Sequence, residues 1–266
     1  MKPHVITFLA PKGGAGRTTA VMALASAIVD TGSYRPLVID ASREIAGCRR
    51  GSTLSIWHRM MQRCGVKEDQ IEYRQAATRE ELARIIQAEA DKGPLMRSPV
   101  LIDTSARLDD LDLAAADHAD VILSPFMDAL AAQRISVALD PLDVRAPIYG
   151  LRCGHAFDDS QARAVSAAFT VGRLLQHGLP ESEILSEISI GGHVPHMCMK
   201  FAIEPQGEPL ASRIPSLRPI YAMQSELRKL VNEVMLALDG YELRPRHPKA
   251  RRHPLPLHKL AELLPT

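Results

Sequence analysis

Between positions 11 and 19 the chain reads Pro11, Lys12, Gly13, Gly14, Ala15, Gly16, Arg17, Thr18, Thr19, which gathers glycines, cations and hydroxyls in one short run. Small residues let successive backbone N–H groups turn inward on an anion, and a helix that starts directly afterwards points its positive end at the same anion. Lys12 and Arg17 bring charge, and Thr18 brings a hydroxyl of the kind that reaches a magnesium ion beside bound phosphates. The chemistry implied is phosphate binding. Against the general pattern G-x-x-x-x-G-K-[ST], however, a proline replaces the first glycine and Arg17 replaces the lysine. Two carboxylates stand at comparable places further on. "LVIDAS" ends an apolar run with Asp40 and then Ser42, and "PVLIDTS" ends another with Asp103 and Thr104.

These residues need a scaffold that brings the ends of apolar runs together. Such runs recur at 4–10, 35–41, 98–104, 119–126, 146–153 and 187–194, and their unbroken apolar character predicts strands buried on both faces. Helical patterns at 17–31, 53–63, 78–92, 128–142, 159–177 and 216–238 lie between and after them. Thr78 with Glu81 predicts a capping box at the start of the third helix. Alternation of this kind predicts an α/β fold with a doubly wound, mostly parallel sheet flanked by helices. In that arrangement ligands bind at the carboxyl ends of the strands, where Ala10, Asp40 and Asp103 fall.

The 266 residues are 46% hydrophobic and 24% charged, a globular balance, with only 4% aromatic, so the core must be built from Ala, Leu, Ile and Val. A net charge of +1 argues against a generally basic, nucleic-acid-coating protein and leaves room for a local basic patch. Cys48, Cys64, Cys153 and Cys198 show neither disulfide nor zinc spacing. The opening "MKPHVITFLAPKGG" is too short and proline-broken for a signal peptide, and no apolar stretch reaches the roughly 20 residues of a membrane span. A cytoplasmic protein is expected. A globular domain over 1–240 would then be followed by a basic, proline-rich tail over 241–266, with Arg244, Arg246, Lys249, Arg251 and Arg252.

Lys12 ahead of the glycines resembles the signature lysine of the deviant Walker A motif, K-G-G-x-G-K-[ST], of the ParA/MinD family of P-loop ATPases. The resemblance covers about residues 4–238. It implies ATP and Mg2+ as cofactors and an ATP-bound homodimer in which Lys12 crosses to the partner's phosphates. Pro11, Lys12, Gly13, Gly14, Ala15, Gly16, Arg17, Thr18 and Thr19 would form the loop. Asp103 and Thr104 would lie at the Walker B strand, and Thr18, Asp40 and Asp103 around the metal. Lys12, Arg17, Asp40 and Ser42 would occupy the catalytic positions. "VILSPFMDALAAQRISVALDPL" and "HVPHMCMKFAIEPQGEPL" are similar to later family segments, and the chain looks nearest to the VirC-type T-DNA transfer branch and then to plasmid partition ATPases. DNA and a ParB-like or relaxosome protein would be the partners, and DNA binding would bring the protein to the nucleoid.

Two departures bear on catalysis. Arg17 keeps the positive charge but places a planar head where a compact ammonium is usual, which predicts retained binding and slower chemistry. Ser42 stands where the family carries the aspartate that positions attacking water, and a hydroxyl cannot replace a carboxylate there. Glu44 is close enough in sequence to be an alternative. The expectation is a slow ATPase that binds DNA in its ATP state, with a non-hydrolysing nucleotide-binding scaffold on DNA as the competing reading. A membrane switch ranks below both, because "LHKLAELLPT" is a poor amphipathic anchor.

Other residues invite plainer readings. His193 and His196 are expected in a loop without a metal, Cys153 as a buried thiol, and Trp57 with Leu54, Ile56, Met60 and Met61 as core or partner surface. Arg49 and Arg50 are read as a solvated pair. The tail is either a basic terminus without a dedicated role or a set of phosphate contacts extended by Arg218, Arg228 and Lys229.

Overall fold

The computed structural model describes residues 3–11, 14–42, 52–92, 99–203 and 210–240, with backbone alone for 201–203 and 210–217. Lys12, Gly13, Glu44, Cys48, Arg49, Arg50 and the tail from 241 lie outside the described residues.

The chain runs β1 (Val5–Phe8), α1 (Arg17–Asp30), β2 (Leu37–Asp40), α2 (Thr53–Arg63), β3 (Glu72–Gln75), α3 (Arg79–Asp91), β4 (Val100–Asp103), α4 (Asp110–His118) and β5 (Val121–Phe126). There follow α5 (Ala129–Leu139), β6 (Ile148–Gly154), α6 (Asp159–Ala168), β7 (Arg173–Leu174), β8 (Leu179–Pro180), α7 (Glu183–Ser186), α8 (Ile188–Gly191), α9 (Val194–Ile203) and α10 (Leu210–Leu238). Among the described residues the strands order as β3-β2-β4-β1-β5-β6-β7, with β8 also on β6, and every pairing is parallel. The doubly wound parallel sheet expected from the sequence is therefore the observed fold.

β1, β2, β4 and β5 are buried at every position, as strands covered on both faces must be. One face carries Ile6, Phe8, Val38 and Leu101 against α1, α2, α10 and the short helices α7 to α9. The opposite face carries Val5, Ile39 and Ile102 against α3 and α4, and Ile122 and Phe126 against α5 and α6. Residues 20–29 of α1 are all buried, a helix apolar all round because neighbours cover every side. Its beginning is thereby fixed at the carboxyl edge of the sheet.

Three expectations fail. Residues 187–194 form no strand: Ile188–Gly191 is a short helix, docked on α2 where the Trp57 indole donates to the Gly192 carbonyl at 3.0 Å. The helix expected over 159–177 stops at Ala168, after which Arg173–Leu174 pairs with β6. His196 lies inside α9, not in a loop, whereas His193 precedes the helix in irregular structure as expected. The box at Thr78 forms with one change of partner. Thr78 Oγ1 accepts from the Glu81 N–H, but Glu81 reaches back to the Ala77 N–H.

Candidate nucleotide site

The register of the three central strands builds the site. Phe8 pairs with Asp103 and Asp40 pairs with Asp103, so the carboxylates end adjacent strands side by side, on the sheet face that carries α1. Beyond β1 the backbone enters the loop, where Gly14 and Gly16 take φ of 80° and 85°. Side chains other than glycine are strained there. Gly16 is also crowded, because a Cβ there would lie 3.3 Å from Cys153 Cβ and Sγ, which would have to give way by a few tenths of an ångström. Gly16 is the N-cap of α1 and offers no side-chain cap, so the helix's opening N–H groups face the loop.

Arg17 is the first helical residue, and its guanidinium turns under the loop. Nη1 donates to the Ala10 carbonyl at 2.9 Å and to the Ser105 carbonyl at 2.8 Å, while Nε reaches Asp103 Oδ1 at 3.3 Å. The Thr18 hydroxyl donates to Asp103 Oδ2 at 2.7 Å. Asp103 is only 1% exposed. Burial pushes its carboxyl up to about 6 despite Arg17 and Thr18, with the neighbouring Asp40 adding to the rise. Its conjugate base is short of positive charge.

The chain beyond β4 is held for this purpose by α4. Asp112, fully buried, accepts from the Ser105 N–H at 2.7 Å and hydroxyl at 2.6 Å, and it completes a capping box with Asp109. Ser105 is thereby fixed with its carbonyl on Arg17. Burial raises the Asp112 carboxyl, against the pull of those same hydrogen bonds. Thr104 is turned away from the loop, since its hydroxyl donates to the Phe8 carbonyl at 2.6 Å inside the sheet.

Asp40 has a different environment. Oδ1 accepts from the Ser42 N–H at 3.1 Å and hydroxyl at 2.6 Å, a local turn in which the side chain caps the backbone two residues on. Oδ2 accepts from the Tyr73 hydroxyl at 3.2 Å. Ser42 is thus occupied by Asp40.

Of the residues singled out in the sequence, the structure brings together Gly14, Ala15, Gly16, Arg17, Thr18, Asp40, Ser42 and Asp103. Sequence reasoning missed Ser105, Asp112, Tyr73 and Ser52. The spacing Asp109, Asp112 is a capping signal that would have exposed the first pair, whereas Tyr73 sits in a polar edge strand without periodic signature. Cys153 lies buried against Gly16, with its thiol pushed up to about 12 by burial. Trp57, Leu54 and Met61 are core. Among the described residues no cluster of His, Cys, Asp and Glu suits a metal ion by itself, and no helix is long and apolar enough to cross a membrane.

Magnesium and a nucleotide fit these residues. The Thr18 hydroxyl and Asp103 carboxylate are two hard oxygens already 2.7 Å apart, with Asp40 beside them, the donor chemistry this cation selects. The left-handed Gly14 and Gly16 and the uncapped start of α1 suit phosphate oxygens.

No protein-family model matches the chain, and no curated protein matches it. Solved structures do. A ParA family ATPase from Chlorobium tepidum TLS is similar with a TM-score of 0.55 at 13% identity, over 87% of this chain and 98% of that one. The septum site-determining protein MinD of Pyrococcus horikoshii OT3, complexed with Mg-ADP, gives 0.57 at 16% over 91% and 100%. The pNOB8 ParA bound to nonspecific DNA gives 0.54 at 12% over 90% and 100%. At such identities the likeness concerns architecture, and the chain has the fold of the MinD and ParA proteins.

Proposed function

We propose that this chain is a nucleotide switch of the ParA/MinD type, an ATPase that binds magnesium and ATP on the Gly13–Thr19 loop and acts in DNA partition or transfer. The observation that carries the reading is the Thr18–Asp103 pair at 2.7 Å beneath a left-handed glycine loop, with the Arg17 guanidinium bridging the loop to the end of β4. Magnesium, when bound, would neutralise charge between the outer phosphates and the two carboxylates. Thr18 and Asp103 would hold it, Asp40 would orient its water, and Arg17 would fix the loop and lend positive charge to the phosphates.

Closure as a homodimer with Lys12 in trans extends the reading. It draws support from a mixed cleft beside the loop, lined by Ala10, Pro11, Gly14 and Met127 together with Asp128 and Arg134, in which Met127 is 54% exposed. DNA as a partner is suggested by the pNOB8 ParA bound to nonspecific DNA. Arg218 and Lys229, exposed on α10 and about three turns apart on one side of it, offer phosphate contacts. Arg228 pairs with Asp30 at 3.2 Å and is less available. The tail over 241–266 would extend this surface. Partition or VirC-type transfer, with a ParB-like or relaxosome protein as stimulator, is the setting that follows.

Hydrolysis is expected to be slow. The second reading, a non-hydrolysing scaffold that binds nucleotide and DNA, is favoured by one observation: the Ser42 hydroxyl spends its one proton on Asp40 at 2.6 Å and offers a water only its neutral lone pairs, a weaker acceptor than a carboxylate. Turnover of ATP measured with and without DNA separates the two. Binding with turnover that DNA accelerates supports the switch, and binding without turnover supports the scaffold. Failure to bind ATP in the presence of magnesium sinks both.

A further inference from the structure

Among the described residues, every hydrogen bond to Asp40 comes from a neutral donor, and the one on Oδ2 comes from an element that the loop chemistry does not include. Tyr73 lies on β3, paired with Val38, and its ring leans along the strand so that its hydroxyl reaches the carboxylate two residues further on. A phenol has a single proton, and an ionised carboxylate only accepts, so that proton lies on Asp40. The contact between Tyr73 Oη and Ser52 Oγ at 3.1 Å is then donated by the serine. Ser52 Oγ in turn accepts from the Ser55 N–H at 3.2 Å as the N-cap of α2. The donors along this line therefore point one way, from the first turn of α2 through Ser52 and Tyr73 to Asp40, and the Gln75 side chain adds a second hydrogen bond to the phenol oxygen. The ring is held by His58, stacked at 5.4 Å between centroids. Burial and the carboxylate together keep the phenol protonated, pushed up to about 12, with burial the larger cause.

We infer that Tyr73 is a positioning residue: anchored through Ser52 to the start of α2, it fixes the Asp40 carboxylate beside Asp103 in the orientation that a magnesium ion and its water require at the phosphate loop. This rests on the nucleotide-switch reading and adds to it a part for β3. Ser42 holds one carboxylate oxygen and Tyr73 the other. With these bonds in place the carboxyl group is held against rotation; Oδ1 already accepts twice from Ser42, and Oδ2, which accepts once, keeps a lone pair for a ligand. Tyr73 acts through Asp40 and would not itself hold the ligand.

The test uses the full chain with Tyr73→Phe, Asp40→Asn and the double variant, titrating a ribose-labelled fluorescent ATP analogue at varied magnesium. Y73F is expected to raise the magnesium concentration for half-maximal nucleotide binding by about 3–10-fold, the scale of a lost ordinary hydrogen bond, since Tyr73 acts on the metal only through Asp40, and to leave magnesium-free binding unchanged. In the D40N background the same change should have no further effect, because the two residues act as a unit. Ser52→Ala should reproduce part of the shift and Ser52→Thr should restore it. Without ligand, amide exchange at Ser42 should quicken in Y73F while the β2 amides keep their protection, since the acceptor of that N–H is no longer held. An unchanged magnesium requirement together with unchanged Ser42 exchange overturns the inference, and so does an equal shift in both backgrounds, which would mark a packing role. If the wild-type chain binds no nucleotide, the switch reading falls, and the exchange at Ser42 still decides whether Tyr73 fixes Asp40.

Discussion

Asp40 and Asp103 occupy one register of one sheet, yet they are held by opposite means. Asp103 sits against a cation and a hydroxyl, with Arg17 Nε at 3.3 Å and Thr18 Oγ1 at 2.7 Å, and is closed off from solvent. Asp40, 5% exposed, is held among the described residues by hydroxyls and an amide. A buried carboxylate that keeps a fixed partner charge serves a resident architecture as much as a ligand, because part of its charge is already answered. One held by neutral dipoles keeps its whole charge for whatever arrives. The difference places the structural burden on the β4 side and leaves the β2 side as the more responsive half.

The sharpest way to break this comparison is Asp103→Asn. Magnesium-dependent nucleotide affinity is expected to fall by about 100-fold or more with the loss of the metal's anionic oxygen, as read by nucleotide titration with and without magnesium. The ligand-free variant should nevertheless be as stable as the parent at neutral pH. The Asp103 carboxyl is raised from 3.8 to about 6, so between those values the folded state holds more protons than the unfolded one. Stability from this group is therefore greatest below pH 4 and falls as pH rises to 6, a slope that thermal melts should find flattened in D103N.

Next in size is Arg17→Ala, which removes the strap between Ala10, Ser105 and Asp103 and leaves a buried carboxylate without its cation. A loss of about 3 kcal/mol is expected by denaturant unfolding at pH 8. The loss should shrink toward pH 4, where Asp103 is protonated and no longer needs the guanidinium. A loss independent of pH would show that the carbonyl bonds, and not the ion pair, carry the contribution.

Gly16→Ala and Gly14→Ala separate conformational strain from crowding. Both positions are left-handed, which costs an alanine about 1 kcal/mol. Only at Gly16 would the new methyl meet Cys153, while Gly14 faces open space. G16A should therefore be the more destabilising in thermal melts, and Cys153→Ala should recover part of the difference.

The smallest effect belongs to Ser42→Ala. Losing its bond to Asp40 should cost about 1 kcal/mol or less in unfolding experiments, because the carboxylate keeps Tyr73 and the backbone amide. A far larger loss would make Ser42, rather than Tyr73, the principal holder of Asp40.

How much of this was legible in the sequence follows from where the signal was local. The strands ending at Phe8, Asp40, Asp103 and Phe126 are apolar runs, and the loop between them is a matter of consecutive residue types. β3 reads "EYRQ" and lies at the sheet edge, half-exposed, so neither apolar run nor strict alternation marks it. The segment "ISIGG" carries β-branched residues that favour a strand by themselves, but packing against α2 decides for helix. In the sequence Ser42 stands out only as a missing carboxylate. Its hydroxyl instead serves the carboxylate two residues earlier, a relation that depends on how the chain turns after β2.

Cys153 gives the loop a clock. Its sulfur is shut beneath Gly16, and its high pKa leaves almost no thiolate, so thiol reagents should reach it only when the loop lifts. The rate at which Cys153 is alkylated thus reports how often the phosphate loop opens, a quantity independent of turnover. Cys198, buried on α9 away from the loop, supplies an internal standard. A nucleotide seated on the loop should slow labelling at the first cysteine and leave the second untouched.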